Sequence, residues 1–179
     1  KYLMTLLLTL QLHALSDNQS KNLRTAFKLG KQIHASNGFT FEKTLCAIML
    51  QESSAGIQII GDKYKNGRLK NLYHSSLGVF QIKLSTARYV IKKSKYLRKH
   101  FVHLLKDDKM LVNLLLTSTE FSTIVAANYL IMNYEIALKR GYENPYHSAI
   151  SRYNGGWINS TYKSNIFERM EYIKKLRIF

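Results

Sequence analysis

A chain of 179 residues, 46% of them hydrophobic, has enough apolar material for one domain with a sizeable core, which excludes a disordered chain. With 27 Lys and Arg against 11 Asp and Glu, the net charge of +16 favours an anionic partner or surface without identifying it. The single cysteine, Cys46, lies in an apolar run; it excludes an intrachain disulfide and cysteine-based zinc patterns, and reads as a packed thiol.

In chain order, Tyr2 to Leu15 is apolar apart from Gln11 and His13. It reads either as the apolar part of a secretory signal or as a first core helix, and it is short for a membrane span. Ser16-Asp17-Asn18 supplies caps for the next helix, in which Leu23, Phe27, Gly30, Ile33 and His34 recur at helical spacing up to a stop at Asn37-Gly38. His34 reads as the edge of that stripe rather than as a ligand.

The spacing of Phe41, Leu45, Ile48 and Met49 predicts a helix over Phe41 to Ser54, with Gly56 placed to end it. Glu52 then falls in the last turn. Both the partial negative charge of a helix C-terminus and the removal of water by Ile48 and Met49 disfavour an ionised carboxylate. A raised pKa follows, which is what a general acid needs near neutral pH; the competing reading is an ordinary surface Glu at a helix end.

Gly61 to Tyr73 is polar, basic and turn-rich, and Lys65-Asn66-Gly67 signals a turn or short ribbon. In Gly78-Val79-Phe80-Gln81-Ile82 the glycine suggests a tight turn that buries Val79 and Phe80 while Gln81 faces a cleft. Ser85-Thr86-Ala87 opens another helix. Further helices are expected over Leu104 to Leu116, interrupted at Asp107-Asp108, and over Ser118 to Lys139 as a long central element ending at Arg140-Gly141. Pro145 precedes a short helix over His147 to Tyr153 that ends at Asn154-Gly155-Gly156, and an amphipathic helix runs from Ser164 to Leu176.

The basic residues are dispersed, with Lys92, Lys93, Lys95, Arg98 and Lys99 the densest group. There is no zinc-finger spacing, aromatic RNA-binding signature or helix-turn-helix pattern. Solvated faces explain them better than a nucleic-acid site, and no nucleic-acid partner is expected.

Taken together, Glu52-Ser53-Ser54, Gly78-Val79-Phe80-Gln81-Ile82 with Ser85-Thr86-Ala87, Ala127-Asn128-Tyr129-Leu130, and Ala149 to Gly156 resemble the catalytic domain of lytic transglycosylases. That family shares the lysozyme-like fold with goose-type lysozymes. Its motifs read Glu-Ser, Gly-Leu-Met-Gln and Ala-Tyr-Asn-Ala-Gly, and the resemblance covers about Leu23 to Phe167. This chain departs from the pattern at Val79-Phe80, at Gly156-Trp157 and in the longer loop from Gly56 to Ser76.

The resemblance implies a mainly α, lysozyme-like helical domain over 17–179, with a small loop or β-ribbon insertion after the catalytic helix and residues 1–16 as a first helix or signal-like remnant. It implies Glu52 as catalytic acid and then base, Ser53 as its polar neighbour, Gln81 as a cleft residue touching sugar, Tyr153 as a hydrogen-bond donor to Glu52, and Asn154 as a shaper of the same subsite. The implied substrate is the glycan strand of peptidoglycan, in the periplasm or envelope of a bacterium, with anionic envelope polymers as further partners. No metal or organic cofactor is implied, nor a stable membrane span in the mature domain.

Ordinary glycosidases need two carboxyl groups, whereas lytic transglycosylases, by resemblance, use one. The nearest second carboxylate is Asp62, which reads first as a turn residue. Two alternatives stay open: a hydrolytic muramidase on the same fold, with Asp62 ordering water, and a non-catalytic basic binding protein.

Overall fold

The computed structural model describes residues 15–62 and 71–176. Among these the chain is mainly helical, with eight α-helices and one two-stranded hairpin. Of the apolar segment Tyr2 to Leu15 only Leu15 is among the described residues, and the Lys65-Asn66-Gly67 turn signal lies outside them.

Helix α1 (Asp17–Gln32) starts at the expected capping residue: Ser16 accepts from the Gln19 backbone while the Gln19 side chain accepts from the Ser16 backbone. It ends earlier than expected. Ile33 is extended, His34 bridges Thr40, and Asn37-Gly38 forms the turn between them, with Gly38 at φ 82°. The Ala35 N–H bonds the Phe39 carbonyl, and this local turn outcompetes another turn of helix.

Helix α2 (Glu42–Ser53) matches its expected span to within one residue at each end. It packs against α1 and against α8 (Ser160–Leu176), and is buried on nearly every side. Seven of its residues, from Thr44 to Met49 together with Ser53, are buried, so burial extends beyond the single apolar face that the spacing predicts. Close approach to α1 requires Gly30, because a β-carbon there would meet the Glu42 Cα at 2.6 Å. The helix is closed by Ser54 in the left-handed conformation rather than by Gly56, and Ala55 and Gly56 continue with positive φ.

The ribbon lies after the loop. Strand β1 (Ser76–Leu77) pairs antiparallel with β2 (Ile82–Lys83), joined by the Gly78–Gln81 turn, and Ile60 adds a bridge to Leu77. Helices α3 (Leu84–Lys93) and α4 (Lys95–Phe101) follow, with Ser94 capping the second.

The helix expected over Leu104 to Leu116 is two elements. A 3-10 segment, Val102–Lys106, precedes α5 (Asp108–Thr117), and Asp107 is the N-cap of α5, accepting from the Met110 N–H at 2.8 Å. The aspartate pair interrupts the segment as expected, and it does so by capping a new helix.

Helix α6 (Thr119–Lys139), 21 residues long, is the central element and touches α1, α3, α5 and α7 (Pro145–Tyr153). Helix α7 begins earlier than expected because Asn144 caps it with Pro145 in the first turn. Helix α8 also begins early, at Ser160 instead of Ser164, because the Asn159 side chain accepts from the Tyr162 N–H at 3.0 Å. That extra turn carries Tyr162 onto the face of α8 that meets α2.

Candidate active site

Glu52 lines a cleft of about 380 Å³ together with Asp62, Gln81, Thr86, Tyr129, Tyr153 and Asn154, among others. The end of α2, the segment carrying Asp62, the β1–β2 hairpin, the start of α3, α6 and the end of α7 converge there.

The carboxyl of Glu52 is half-buried, and its Oε1 accepts a hydrogen bond from the Tyr162 hydroxyl at 2.6 Å. Burial pushes its pKa above the ordinary 4.5, and the Tyr162 bond, which favours the carboxylate, pulls it part of the way back. Tyr162 is itself 6% exposed, and burial beside Glu52 holds its hydroxyl protonated far above the usual tyrosine range. The pair is therefore polarised one way: Tyr162 donates and Glu52 accepts.

The resemblance pointed to Tyr153 as this partner, and the structure puts Tyr162 in its place. The Tyr153 hydroxyl donates to the Phe80 carbonyl at 3.0 Å, so Tyr153 ties α7 to the Gly78–Gln81 turn. Its ring lies 5.6 Å from that of Tyr129, and burial with the nearby Glu52 charge keeps its hydroxyl protonated. The sequence does carry a signal for Tyr162. The inward-facing stripe Ile166, Met170, Ile173 of α8 extends back by one helical turn to residue 162, and Asn159 is a strong N-cap residue.

Ser53 does not line the cleft. It is 1% exposed, and its hydroxyl donates to the Val79 carbonyl at 2.7 Å while its Oγ accepts from the Gly56 N–H at 3.0 Å. Ser53 thus clamps the helix that carries the acid to the turn that forms the opposite wall.

Gln81 stands in the cleft wall in a left-handed conformation, φ 49°. Both hydrogens of its side-chain amide are engaged, by the Gln58 carbonyl at 3.0 Å and the Gly78 carbonyl at 2.9 Å. Its oxygen packs where a β-carbon on Gly61 would sit, so a side chain at that position would displace the Gln81 amide. Asn154 caps the end of α7 and is exposed at the rim.

Asp62 shares the cleft with Glu52 and also accepts from the Ser76 N–H at 2.6 Å, which fixes the start of β1. The turn role read from the sequence and a place in the cleft thus coincide in one residue.

Cys46 lies away from this chemistry. It is fully buried in α2, its thiol donates to the Leu23 carbonyl, and burial raises its pKa strongly. Among the described residues no group of three or more His, Cys, Asp and Glu side chains is placed to hold a metal ion, and no single helix is long and apolar enough to cross a membrane. Set against known proteins, the chain matches no family model, no curated protein and no solved structure at a significant level.

Proposed function

We propose that this chain is a lytic transglycosylase of lysozyme-like architecture that cleaves the MurNAc–GlcNAc bond of peptidoglycan without water. The observation that carries the reading is a half-buried acid, Glu52, at a helix end in an open cleft, with its pKa raised by burial and its oxygen held by Tyr162.

The chemistry follows from that environment. Protonated Glu52 delivers its proton to the glycosidic oxygen as the C1–O bond breaks, leaving positive charge on the sugar ring. The resulting carboxylate, steadied by the Tyr162 hydroxyl, then takes the proton of the muramyl 6-hydroxyl as that oxygen closes onto C1. The acid is regenerated and the product is a 1,6-anhydro sugar. Mass spectrometry of muropeptides released from purified sacculi tests this: anhydro products are expected, lighter by one water than hydrolytic ones. Fully hydrated ends would overturn it.

The pH profile reports the acid. Cleavage falls as pH rises through the pKa of Glu52, because the deprotonated acid cannot protonate the leaving oxygen. Tyr162→Phe removes a bond that favours the carboxylate, so the alkaline limb should move to higher pH while the maximal rate drops about 10–100-fold through loss of positioning. An unmoved limb would show that the hydroxyl does not act on Glu52. Tyr153→Phe should leave the limb in place.

A second reading is favoured by the position of Asp62 in the same cleft. If Asp62 orders an attacking water, the enzyme is a hydrolytic muramidase, and Asp62→Asn should abolish cleavage while the fold survives. In the transglycosylase reading Asp62→Asn leaves anhydro products in place.

The charge of +16 fits retention on an anionic wall in the periplasm or cell envelope. Raising salt should weaken sacculus binding by screening, while cleavage of a short soluble glycan changes little. Parallel loss in both assays would remove that role for the surface. A tight, steeply salt-dependent complex with duplex DNA would favour a basic binding protein instead.

A further inference from the structure

A second pocket, of about 410 Å³, adjoins the cleft and shares Thr86 and Tyr129 with it. Its far wall is made by Arg140 at the end of α6, Arg152 in the last turn of α7, and Trp157. Both guanidinium groups lie against the same indole, with their central carbons 5.1 Å and 5.5 Å from the ring centroid, and Tyr142 stacks at 5.4 Å.

Two like charges over one ring repel each other, and neither guanidinium has a carboxylate in ion-pair contact among the described residues. Arg88 pairs with Asp108 and Lys174 with Glu171, at other places on the surface. Arg152 donates to the Gly155 carbonyl at 3.0 Å, which leaves most of its N–H groups for another acceptor.

An independent observation points the same way. Asn133, which lines this pocket, is 4% exposed, and its amide nitrogen has no hydrogen-bond partner among the described residues. A buried donor left unmatched has lost its water without compensation, and a ligand acceptor would restore the bond. The pocket thus holds a surplus of donors and positive charge beside Tyr89 and Ile136, which can cover an aliphatic stem.

We propose that this pocket binds a carboxylate of the peptide carried by the glycan strand, held by Arg140 and Arg152 as planar donors while the sugar backbone lies in the cleft. The nature of the ligand rests on the transglycosylase reading; the charge preference of the pocket is a separate observable.

Trp157 is the only tryptophan in the chain, so its fluorescence reports this pocket without any turnover. The Glu52→Gln protein is titrated with a disaccharide-peptide bearing free carboxylates and with the same compound after all its carboxylates are converted to carboxamides. A saturable Trp157 response is expected, at least about tenfold tighter for the carboxylate form, as one charge-assisted hydrogen bond predicts. Arg140→Ala and Arg152→Gln, checked for native circular dichroism, should each collapse that ratio toward one.

Equal affinity for the two ligands, or a ratio retained in both variants, overturns the proposal. Sacculus digestion by the wild-type chain separates it from the activity. If no anhydro-muropeptide is released but Trp157 still prefers the carboxylate ligand, the pocket stands and the activity falls. If anhydro products form and Trp157 shows no preference, the activity stands and the pocket falls.

Discussion

Glu52→Gln should fold as the wild type and release essentially no anhydro-muropeptide from sacculi. The amide keeps the size of the carboxyl and can still accept from Tyr162, but it cannot deliver a proton, and a general acid is worth roughly a hundred- to ten-thousandfold in rate. Its stability should differ from the wild type in a direction that the buried carboxyl fixes. The folded-state pKa of Glu52 is raised above the ordinary 4.5, so the folded protein holds the proton more tightly than the unfolded chain does. That contribution to stability is fully present below the unfolded value and is lost as pH rises through the folded one. Gln has no such loss. The melting temperature of Glu52→Gln should therefore gain on the wild type as pH rises from the ordinary 4.5 through the folded-state value of the acid. A variant that still cleaves removes Glu52 from the chemistry, and one that loses ground as pH rises contradicts the buried-acid environment.

Gly78→Ala should be the most damaging single methyl that can be added near the site. Gly78 has φ 71°, and a β-carbon there would meet the Leu115 carbonyl oxygen at 1.8 Å. That oxygen cannot swing away freely, because it accepts from the Ser122 hydroxyl at 2.9 Å. Nor can the glycine. Its N–H donates to the Ile59 carbonyl at 2.7 Å, and its own carbonyl accepts from both the backbone and the side chain of Gln81. Left-handed strain and overpacking together should cost roughly 2–5 kcal/mol, or about 4–20 °C in melting temperature for a chain of this size. Cleavage should fall as well, since the same turn forms the cleft wall. Gly141→Ala is the control: its φ is 69°, with nothing within 4 Å of a new β-carbon, so only the conformational cost of about 1–2 kcal/mol should be seen. Equal losses in the two variants would show that the contact with Leu115 is not what requires the glycine.

How far the sequence is legible depends on how local each cause is. The Glu52 helix is readable because its apolar content and its end are encoded within a dozen neighbouring residues, and the structure places the acid in its last turn. The Gly78 turn is readable for the same reason, with Val79 and Phe80 buried and Gln81 at the cleft. Three helix starts shift, each at a cap. Asp107, Asn144 and Asn159 accept from the backbone N–H three residues on, a bond that apolar periodicity does not register. The hydroxyl that meets Glu52 is harder to find. Two tyrosines, Tyr153 and Tyr162, lie beside the acid, and only the packing of α8 on α2 decides which of them reaches it.

The wide separation between Glu52 and Tyr162 also sets an order of events during synthesis. Tyr162 is translated 110 residues after Glu52. At about 5–20 residues per second, roughly 5–20 s pass between the making of the acid and the making of its hydroxyl partner. Through that interval α1, α2 and the hairpin can form, but the carboxyl has only water or a passing surface to satisfy it. The pairing that steadies Glu52 therefore has to wait until α8 has been made and can pack on α2.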